Sequence, residues 1–350
     1  MTASSRPLTA FAAEYFERVP GYLDTAAVGL PPRVSMRAFR ERLNEWEEGR
    51  CHPQSFDPDV ARARAAYAVI AGTDVSLVGS VSQVSVVTGL VAASLPEGAR
   101  VLCAEEDFTS VLFPFLVDDR LEVQTVPVAD LFDRLDSGFD LVAVSAVQSS
   151  SGVVTDLDRL AAVAGEGGVR TFVDVTQAAG WLPIDAGRFE VTACHAYKWL
   201  CAPRGAAFLT VSPEAMEWLH APNAGWYAGE DPWGSIYGRP LRLAADARRF
   251  DTSPAWFSYA AAAPGLELLA GLDIAEVNQH SVGLANTFRE LVGLQPSDSA
   301  IVSLSTPAGP DLAAGGIAAS ARAGRARLSF YLYNTIEDAE RAASIVGRVS

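Results

Sequence analysis

Lysine, cysteine and long apolar runs are all scarce in this sequence. Lys198 is the single lysine among 350 residues, so almost every other basic side chain is arginine. The four cysteines include no close-spaced pair, which excludes a zinc knuckle and a disulfide framework. No segment approaches the roughly 20 apolar residues of a membrane-spanning helix, and residues 1–7 lack the apolar core of a secretion signal. These absences predict a cytoplasmic protein with reduced thiols, no bound metal and no membrane partner.

Positive charge is scarce as well, because 27 Lys and Arg residues stand against 42 Asp and Glu residues. The formal net charge of −15 repels phosphate backbones, so nucleic acid is not an expected partner. Hydrophobic residues make up 49% of the chain, which is enough for a folded core and excludes intrinsic disorder. At about 100–200 residues per domain, the length favours two structural units.

Between about residues 73 and 211, short apolar runs alternate with helical patterns. This alternation predicts an α/β fold, a mostly parallel sheet covered by helices, with its ligand beyond the carboxyl ends of the strands. Asp156 is predicted to cap the helix that begins at Leu157. The predicted strands are Val101–Cys103, Leu141–Ser145, Thr171–Asp174, Val191–Cys194 and Ala206–Val211.

The segment Ala221–Pro240 interrupts the alternation with glycine, proline and aromatic residues. We interpret it as a lid or a subunit contact, since a plain linker is rarely this aromatic. Helical patterns resume at Ala260, with strands predicted at Ala300–Ser303 and Arg327–Tyr331. A closing helix capped by Thr335 completes a smaller α+β unit. The predicted units are an N-terminal arm at 1–20, a large domain at 21–258 and a small C-terminal domain at 259–350.

Two consecutive strands of the predicted sheet end in residues that can do chemistry. Asp174 ends one strand, and His195 and Lys198 close and follow the next. A carboxylate and a single lysine at one sheet edge are what a pyridoxal phosphate (PLP) site requires. The lysine amine condenses with the cofactor's aldehyde, and the carboxylate keeps the pyridine nitrogen protonated. The pair alone leaves open the alternative that Asp174 is a turn residue and Lys198 a surface charge.

Five motifs, spread over most of the chain, also indicate a PLP site. They are Tyr22–Ala27, Asp174-x-x-Gln177, His195-x-x-Lys198, Arg327–Ser329 and Tyr333–Asp338. Together they resemble the class V aminotransferase family, which includes cysteine desulfurases, kynureninases and related lyases. The resemblance implies a fold-type-I PLP enzyme, with a large, mostly parallel sheet domain of the seven-stranded type and a smaller C-terminal α+β domain.

The resemblance also implies roles toward the cofactor ring. Lys198 would bind the cofactor covalently, Asp174 would pair with the pyridinium nitrogen, and Gln177 would hydrogen-bond the ring hydroxyl. Phe108 would stack on the ring, although a phenylalanine in the core is the alternative. By the same resemblance, the segment Gln148–Gly152 occupies the place where relatives commonly carry an asparagine near the ring hydroxyl, so Gln148 would lie there.

A second set of residues would hold the cofactor phosphate. The segment Ser80–Gln83, which contains Val81 and Ser82, is predicted to be a turn after an apolar run and resembles the family's phosphate loop. There, backbone N–H groups and the Ser82 hydroxyl would bind the dianion. A simple helix cap is the alternative. His195 would also reach the phosphate, unless it is a satisfied core histidine. Ser253, in a loop resembling one that crosses between subunits, would contact the partner's phosphate in a homodimer with two shared active sites.

Substrate recognition falls to Arg327 and the aromatic loop. By resemblance, the planar donors of Arg327 would bind the substrate α-carboxylate, with a surface arginine as the alternative. Trp226 and Tyr227 suggest a sizeable or partly apolar substrate side chain. The implied enzyme acts at Cα of an amino acid through an external aldimine and a quinonoid.

Three catalytic activities and one non-catalytic role are considered for such a chain. An aminotransferase is placed first, and a β-eliminating lyase, such as a C–S lyase on a cysteine conjugate, is the alternative. A cysteine desulfurase is less expected, because the segment Ser303–Ala326 contains no cysteine to attack the substrate sulfur. A non-catalytic PLP-binding protein is poorly supported, because Lys198, Asp174 and Arg327 are all present.

Overall fold

A computed structural model describes residues 7–135, 138–304 and 309–349 of the chain. The strands are β1 Val78–Val81, β2 Arg100–Ala104, β3 Glu122–Val126, β4 Leu141–Ser145, β5 Arg170–Asp174, β6 Val191–His195, β7 Ala207–Val211, β8 Ile301–Leu304, β9 Ser320–Arg322 and β10 Arg325–Ser329. The helices are α1 Leu8–Tyr15, α2 Arg33–Glu47, α3 Asp57–Ala71, α4 Val84–Ser94, α5 Thr109–Leu116, α6 Leu131–Leu135, α7 Leu157–Gly167, α8 Ala215–Trp218, α9 Trp256–Ala270, α10 Ile274–Val292, α11 Gly309–Ala314 and α12 Ile336–Val346.

Seven strands form the larger sheet, in the order β1-β7-β6-β5-β4-β2-β3. Strands β2 to β6 pair in parallel, whereas β7 runs antiparallel to both β6 and β1. The central strands β4 and β6 are buried along their whole length, as expected for apolar runs covered by helices on both faces. The predicted α/β fold is confirmed, and each of the five predicted strands is present to within one residue at either end.

Neither edge strand of this sheet, β1 or β3, was predicted from the sequence. β1 has only four residues, and its Gly79 lies so close to β7 that a Cβ there would be 2.5 Å from the neighbouring side chain. Ser80 and Val81 therefore belong to a strand, not to the predicted turn, which begins at Ser82. β3 carries polar residues exposed at the sheet edge and lacks the apolar run that marks its neighbours.

Helix α9 begins at Trp256, four residues before the predicted Ala260, and packs against α2 and α3. The hydroxyl of Tyr259 lies 2.9 Å from the Val81 carbonyl oxygen and 2.7 Å from that of Ala207. The helix therefore fastens the β1 and β7 edge of the large sheet. The boundary at residue 258 between two domains stays a prediction.

The smaller sheet has the order β8-β10-β9 and is antiparallel throughout. Its strand β10 begins and ends two residues earlier than predicted. Isolated bridges at Tyr22 and Asp24 join the N-terminal segment to this part of the molecule. α12 begins after Thr335, whose side chain forms the predicted N-cap in a capping box with Asp338. Within the described residues, no helix combines the length and apolarity needed to span a membrane.

The segment 221–240 forms two short 3-10 helices, at Trp226–Ala228 and Trp233–Ser235. The Tyr227 hydroxyl donates a hydrogen bond to the Asp57 carboxylate at 3.1 Å, and the Trp233 indole N–H donates another at 2.6 Å. These bonds hold the segment against the start of α3 in its own chain. Its roles as a lid or a subunit contact stay predictions.

Candidate active site

Three neighbouring parallel strands end together in the large sheet. Ser145 ends β4, Asp174 ends β5 and His195 ends β6, and Ser145 pairs directly with Asp174. Because carboxyl ends of parallel strands share one edge, their side chains meet at a single cavity. The residues that line it are Gln83, Val84, Phe108, Ser110, Ser145, Ser149, Asp174, Thr176, Gln177, His195, Tyr197, Lys198 and Arg204.

The Asp174 carboxylate is buried at this edge, with 5% of the residue exposed. The backbone N–H of Thr176 donates to one of its oxygens at 2.8 Å. Burial raises the pKa of Asp174, while the hydrogen bonds of Thr176 and the nearby charge of Lys198 oppose the rise. A buried carboxylate is stable as an anion only beside a cation, so Asp174 suits a protonated ring nitrogen.

The Lys198 amine lies in the turn that follows β6, and the residue is 6% exposed, so it is not a surface charge. Burial lowers the pKa of Lys198 to about 8; Asp174 opposes this, and the charges of Arg327 and Arg322 add to the fall. More of this amine is neutral near pH 7 than of an ordinary lysine, so it can act as a nucleophile and a proton acceptor. Its nitrogen lies 5.5 Å from the centroid of the Phe108 ring.

The backbone of the lysine turn is fixed by the N-terminal segment. The Gly29 N–H donates to the Tyr197 carbonyl oxygen at 2.9 Å, and the Cys201 N–H donates to the Lys198 carbonyl oxygen at 3.0 Å. A Cβ on Gly29 would overlap that same Lys198 oxygen and lie against the Cys201 sulfur. Glycine is therefore required at position 29 for the two segments to approach this closely.

Gln177 is held by protein partners on both sides of its amide. The amide nitrogen donates to the Ala26 carbonyl and to the Ser149 hydroxyl, each at 3.0 Å. The amide oxygen accepts a hydrogen bond from the Trp199 indole at 2.8 Å. These bonds fix the position of Gln177 at the cavity.

His195 presents a free ring nitrogen. Its backbone N–H donates to the Thr176 hydroxyl at 3.0 Å, and its ring packs edge-on against Tyr197 with centroids 4.5 Å apart. Nε2 is buried and has no hydrogen-bond partner among the described residues. Burial lowers the pKa of His195 to about 4, with Arg204 and Lys198 adding to the fall, so the ring is neutral at pH 7. The alternative of a satisfied core histidine does not fit this geometry.

Phe108 and Gln148 differ in their relation to the cavity. Phe108 is 47% exposed and lines the cavity, so it is not a core phenylalanine. Gln148 is fully buried, is not among the lining residues, and donates from its amide to Asp107 at 3.1 Å. Asp107 also accepts from the Ser145 N–H, and burial raises the pKa of Asp107 to about 7, with Asp174 adding to the rise. Gln148 therefore lies in a layer behind the cavity wall.

Arg327 is 1% exposed, which rules out the surface alternative. Its Nη1 donates to the Ser149 carbonyl oxygen at 2.5 Å, and Nη2 lies 3.9 Å from Asp24 Oδ1. In the part of the chain that the structure covers, Nε and Nη2 have no hydrogen-bond partner. Burial lowers the pKa of Arg327 to about 10, with Arg322 adding to the fall. Its free edge of two donors suits a carboxylate.

Other predicted residues are not among those that line the cavity of the single chain. Ser80 and Val81 lie in β1, Ser82 in the turn after it, and Ser253 is exposed in the loop before α9. Trp226 and Tyr227 lie in the aromatic segment that Asp57 holds, also outside this lining. Their roles stay predictions.

Several residues that line the cavity were not predicted from the sequence. Thr176 and Tyr197 stand inside the two motifs that were recognised, and Arg204 follows Lys198 by six residues. Ser145 ends an apolar run, which is the same signal that identified Asp174. The remaining ones are Val84, Ser110 and Ser149, whereas Gln83 belongs to the segment predicted to bind the phosphate.

The chemistry of this cavity fits PLP. It offers a buried amine of lowered pKa, a buried carboxylate that lacks a strong ion pair, and an unpartnered imidazole nitrogen. The cofactor's aldehyde, pyridine nitrogen and phosphate are groups that these three would meet. Within the described residues, no group of three or more His, Cys, Asp and Glu residues is arranged to hold a metal ion.

Comparison with known families supports this assignment. Residues 112–308 match the model of the family described as "Aminotransferase class-V". This region is more than half of the 350-residue chain, so the chain belongs to the class V aminotransferase family. The cofactor of this family is PLP, and the resemblance inferred from the motifs is confirmed.

Individual relatives are more distant and differ in activity. The chain is 28% identical over 230 residues to the uncharacterized aminotransferase YcbU of Bacillus subtilis, covering 62% of this chain and 60% of that protein. It is 28% identical over 215 residues to isopenicillin N epimerase of Streptomyces clavuligerus, covering 55% and 51% of the two chains. It is 26% identical over 230 residues to kynureninase of Pseudomonas fluorescens, covering 63% and 55%. The chain thus spans between half and three fifths of the length of these relatives.

Solved structures share the fold along almost the whole chain. The cysteine desulfurase CsdA of Escherichia coli superposes with a TM-score of 0.84 at 20% identity, covering 98% of each chain. The cystine C–S lyase C-DES superposes with a TM-score of 0.82 at 18% identity, covering 96% of this chain and 98% of that one. These likenesses confirm the fold-type-I architecture.

Proposed function

We propose that this chain is a PLP-dependent enzyme acting at Cα of an amino acid, and that it is an aminotransferase. The observation that carries the PLP assignment is Lys198, the single lysine, which is buried beside Asp174 with a pKa of about 8. The aminotransferase is placed first because the matching family model is described as "Aminotransferase class-V". When bound, PLP supplies an aldehyde that condenses with amino groups and a ring that accepts the electron pair released at Cα. The rest of the chemistry belongs to the protein.

The cavity residues would divide the work between proton transfer and binding. Lys198 Nζ would accept the proton from the substrate Cα and return it at a neighbouring carbon. Asp174 would keep a proton on the ring nitrogen. Gln177, whose amide nitrogen already donates to Ala26 and Ser149, would accept a hydrogen bond from the ring hydroxyl through its amide oxygen. His195, neutral at pH 7, would donate or accept one hydrogen bond at the phosphate through Nε2. Phe108 would cover the ring from the open side.

Substrate binding would use Arg327, which does not itself line the cavity of the single chain but bonds the carbonyl oxygen of Ser149, a lining residue. Its Nε and Nη2 form a two-donor edge that matches the two oxygens of an α-carboxylate. The buried position raises the free-energy cost of leaving this edge unpaired, which favours binding of an anion there. Trp226 and Tyr227 would contact the substrate side chain from the partner subunit, if the aromatic segment reaches across a dimer.

Assembly is part of the proposal, because Ser253 is exposed on the single chain. In a two-fold dimer, each phosphate would be approached by Ser80, Val81 and Ser82 of its own subunit, at the end of β1 and in the turn after it. The Ser253 loop of the neighbouring subunit would reach the same phosphate. Sedimentation should then give a dimer at assay concentrations. A fully active monomer after dilution would contradict the shared sites.

The test combines covalent labelling with product analysis. Borohydride should fix PLP to the peptide that contains Lys198, and Lys198→Arg, which keeps the charge, should give no adduct and no turnover. With an active amino acid, an aminotransferase yields one keto acid and one aminated cofactor per site in a single turnover. Release of ammonia with no aminated cofactor would instead assign β-elimination, and an unlabelled Lys198 in an active enzyme would overturn the lysine assignment.

A further inference from the structure

Arg204 borders the cavity but has no role in the function proposed so far. It lies in the loop between β6 and β7, and its guanidinium carbon is 5.1 Å from the centroid of the Tyr197 ring. That ring packs against His195, whose pKa the charge of Arg204 helps to lower. Arg204, Tyr197 and His195 therefore form a continuous row along one wall.

Without Arg204, the described residues that line the cavity offer no free positive charge to balance a bound phosphate. A phosphate monoester carries about −1.5 to −2 charges at pH 7. Of the basic residues in the wall, His195 is neutral at that pH and the Lys198 amine is committed to the cofactor aldehyde. An arginine keeps its charge at any working pH. Among the described residues, no carboxylate forms an ion pair with Arg204, so its charge is available.

The same wall carries other features that suit a phosphate. Gln83 and Val84 line the cavity where α4 begins, and the first N–H groups of an 11-residue helix favour an anion. The buried Nε2 of His195 lacks a partner at this place. A helix start, a free imidazole nitrogen and an unpaired guanidinium thus belong to one cavity.

We propose that Arg204 binds the phosphate group of the cofactor and supplies its permanent positive counter-charge. This rests on the proposed cofactor site and adds to it a residue that the family motifs did not provide. Arg204 is exposed and donates no side-chain hydrogen bond within the described residues, so replacing it does not disturb the core. The competing role, recognition of an anionic group on the substrate, predicts no effect on the cofactor itself.

The experiment compares two ligands that differ only in the phosphate. Apoprotein is titrated with PLP and with pyridoxal, and bound cofactor is followed by absorbance. Arg204→Ala and the volume-preserving Arg204→Gln should weaken PLP binding by about 10- to 100-fold, as expected for a charge-assisted contact, and change pyridoxal binding less than about 2-fold. Arg204→Lys should recover part of the PLP affinity.

Arg322→Ala is the matched control. Arg322 is an exposed arginine whose charge also acts on Lys198, but it does not line the cavity. Its loss should leave the ratio of PLP to pyridoxal affinity unchanged. Equal weakening of both ligands by Arg204→Gln, or an unchanged PLP affinity, would overturn the assignment. Failure of the wild-type protein to bind PLP would overturn the cofactor site as well.

Discussion

The floor and the mouth of the cavity are built in opposite ways. The floor consists of Asp174, Gln177, His195 and Lys198, each no more than 7% exposed. The mouth consists of Phe108, Tyr197 and Arg204, which are partly or largely exposed. Burial at the floor shifts pKa values far from their ordinary range, which is what proton transfer requires. The mouth offers a guanidinium group and exposed ring faces, which suit binding.

The largest expected effect comes from the floor. Asp174→Ala should lower turnover by about 100- to 1,000-fold, because it removes the charge that stabilises the protonated ring. Steady-state rates and thermal unfolding should be measured together. Asp156→Ala, which removes the carboxylate that caps α7, is the control and should lower stability by about 1 kcal/mol while leaving turnover intact. Turnover of Asp174→Ala within a few-fold of wild type would remove the distinction between floor and mouth.

The reactivity of Lys198 in the apoprotein should depend on pH in a way set by burial. With a pKa of about 8 instead of 10.5, the amine is about 300-fold more often neutral at pH 7. Its acylation rate should rise tenfold per pH unit up to about pH 8 and then level off, as read by peptide mass spectrometry. The single lysine makes the assignment direct. A rate that keeps rising to pH 10 would contradict the lowered pKa.

Asp174→Ala offers a check on the sign of this effect. The carboxylate raises the pKa of Lys198 against the larger effect of burial. Removing it should therefore shift the plateau of the acylation rate to lower pH. A shift to higher pH would mean that the two groups do not interact as the structure indicates.

Substitutions at the mouth should cost less. Phe108→Leu removes an aromatic face from the open side of the site, and stacking of this kind corresponds to about 2- to 10-fold in affinity. PLP affinity should fall by that amount, with little change in unfolding temperature. Phe113→Leu, an exposed phenylalanine of α5 outside the cavity, is the matched control and should have no effect. If Phe108→Leu lowered turnover as much as Asp174→Ala does, Phe108 would belong functionally with the floor residues.

The smallest effect on activity is expected from the cysteines. Cys103, Cys194 and Cys201 are buried, and burial raises the pKa of each thiol, which keeps it protonated and unreactive. A variant with all four cysteines replaced by serine or alanine should keep most of its turnover and carry no persulfide by mass spectrometry. A persulfide during turnover, with activity lost on replacing that cysteine, would assign the chain to the desulfurases. Of the predicted cysteine-free segment Ser303–Ala326, residues 305–308 lie outside the described residues.

The floor could be predicted from sequence for a physical reason. Asp174 and His195 are polar residues that end two apolar runs, and the single lysine, Lys198, closely follows His195. A strand end fixes where a side chain points, because the sheet fixes the backbone. The strands that supply the floor were accordingly placed to within one residue.

Tyr197 and Arg204 at the mouth could not be predicted in the same way, whereas Phe108 was predicted from the family resemblance. Arg204 and Tyr197 lie in a turn and a loop, where spacing along the chain does not determine direction. Asp107 gave no signal either, because its role depends on the Ser145 N–H, which is 38 residues away. Ser80 and Val81 were misplaced because a short strand containing glycine looks like a turn.

The N-terminal segment that fixes the lysine turn also sets when the site can form. Ala26 accepts a bond from Gln177, yet its own N–H donates to the Ser329 hydroxyl, and Thr25 bonds the Tyr333 hydroxyl, partners more than 300 residues later. At about 5–20 residues per second, a ribosome needs roughly 15–60 seconds to synthesise that interval. Every residue of the cavity wall is therefore made well before the wall can close. The contacts that hold Thr25 and Ala26 in place can form only after residues 329–333 have been synthesised.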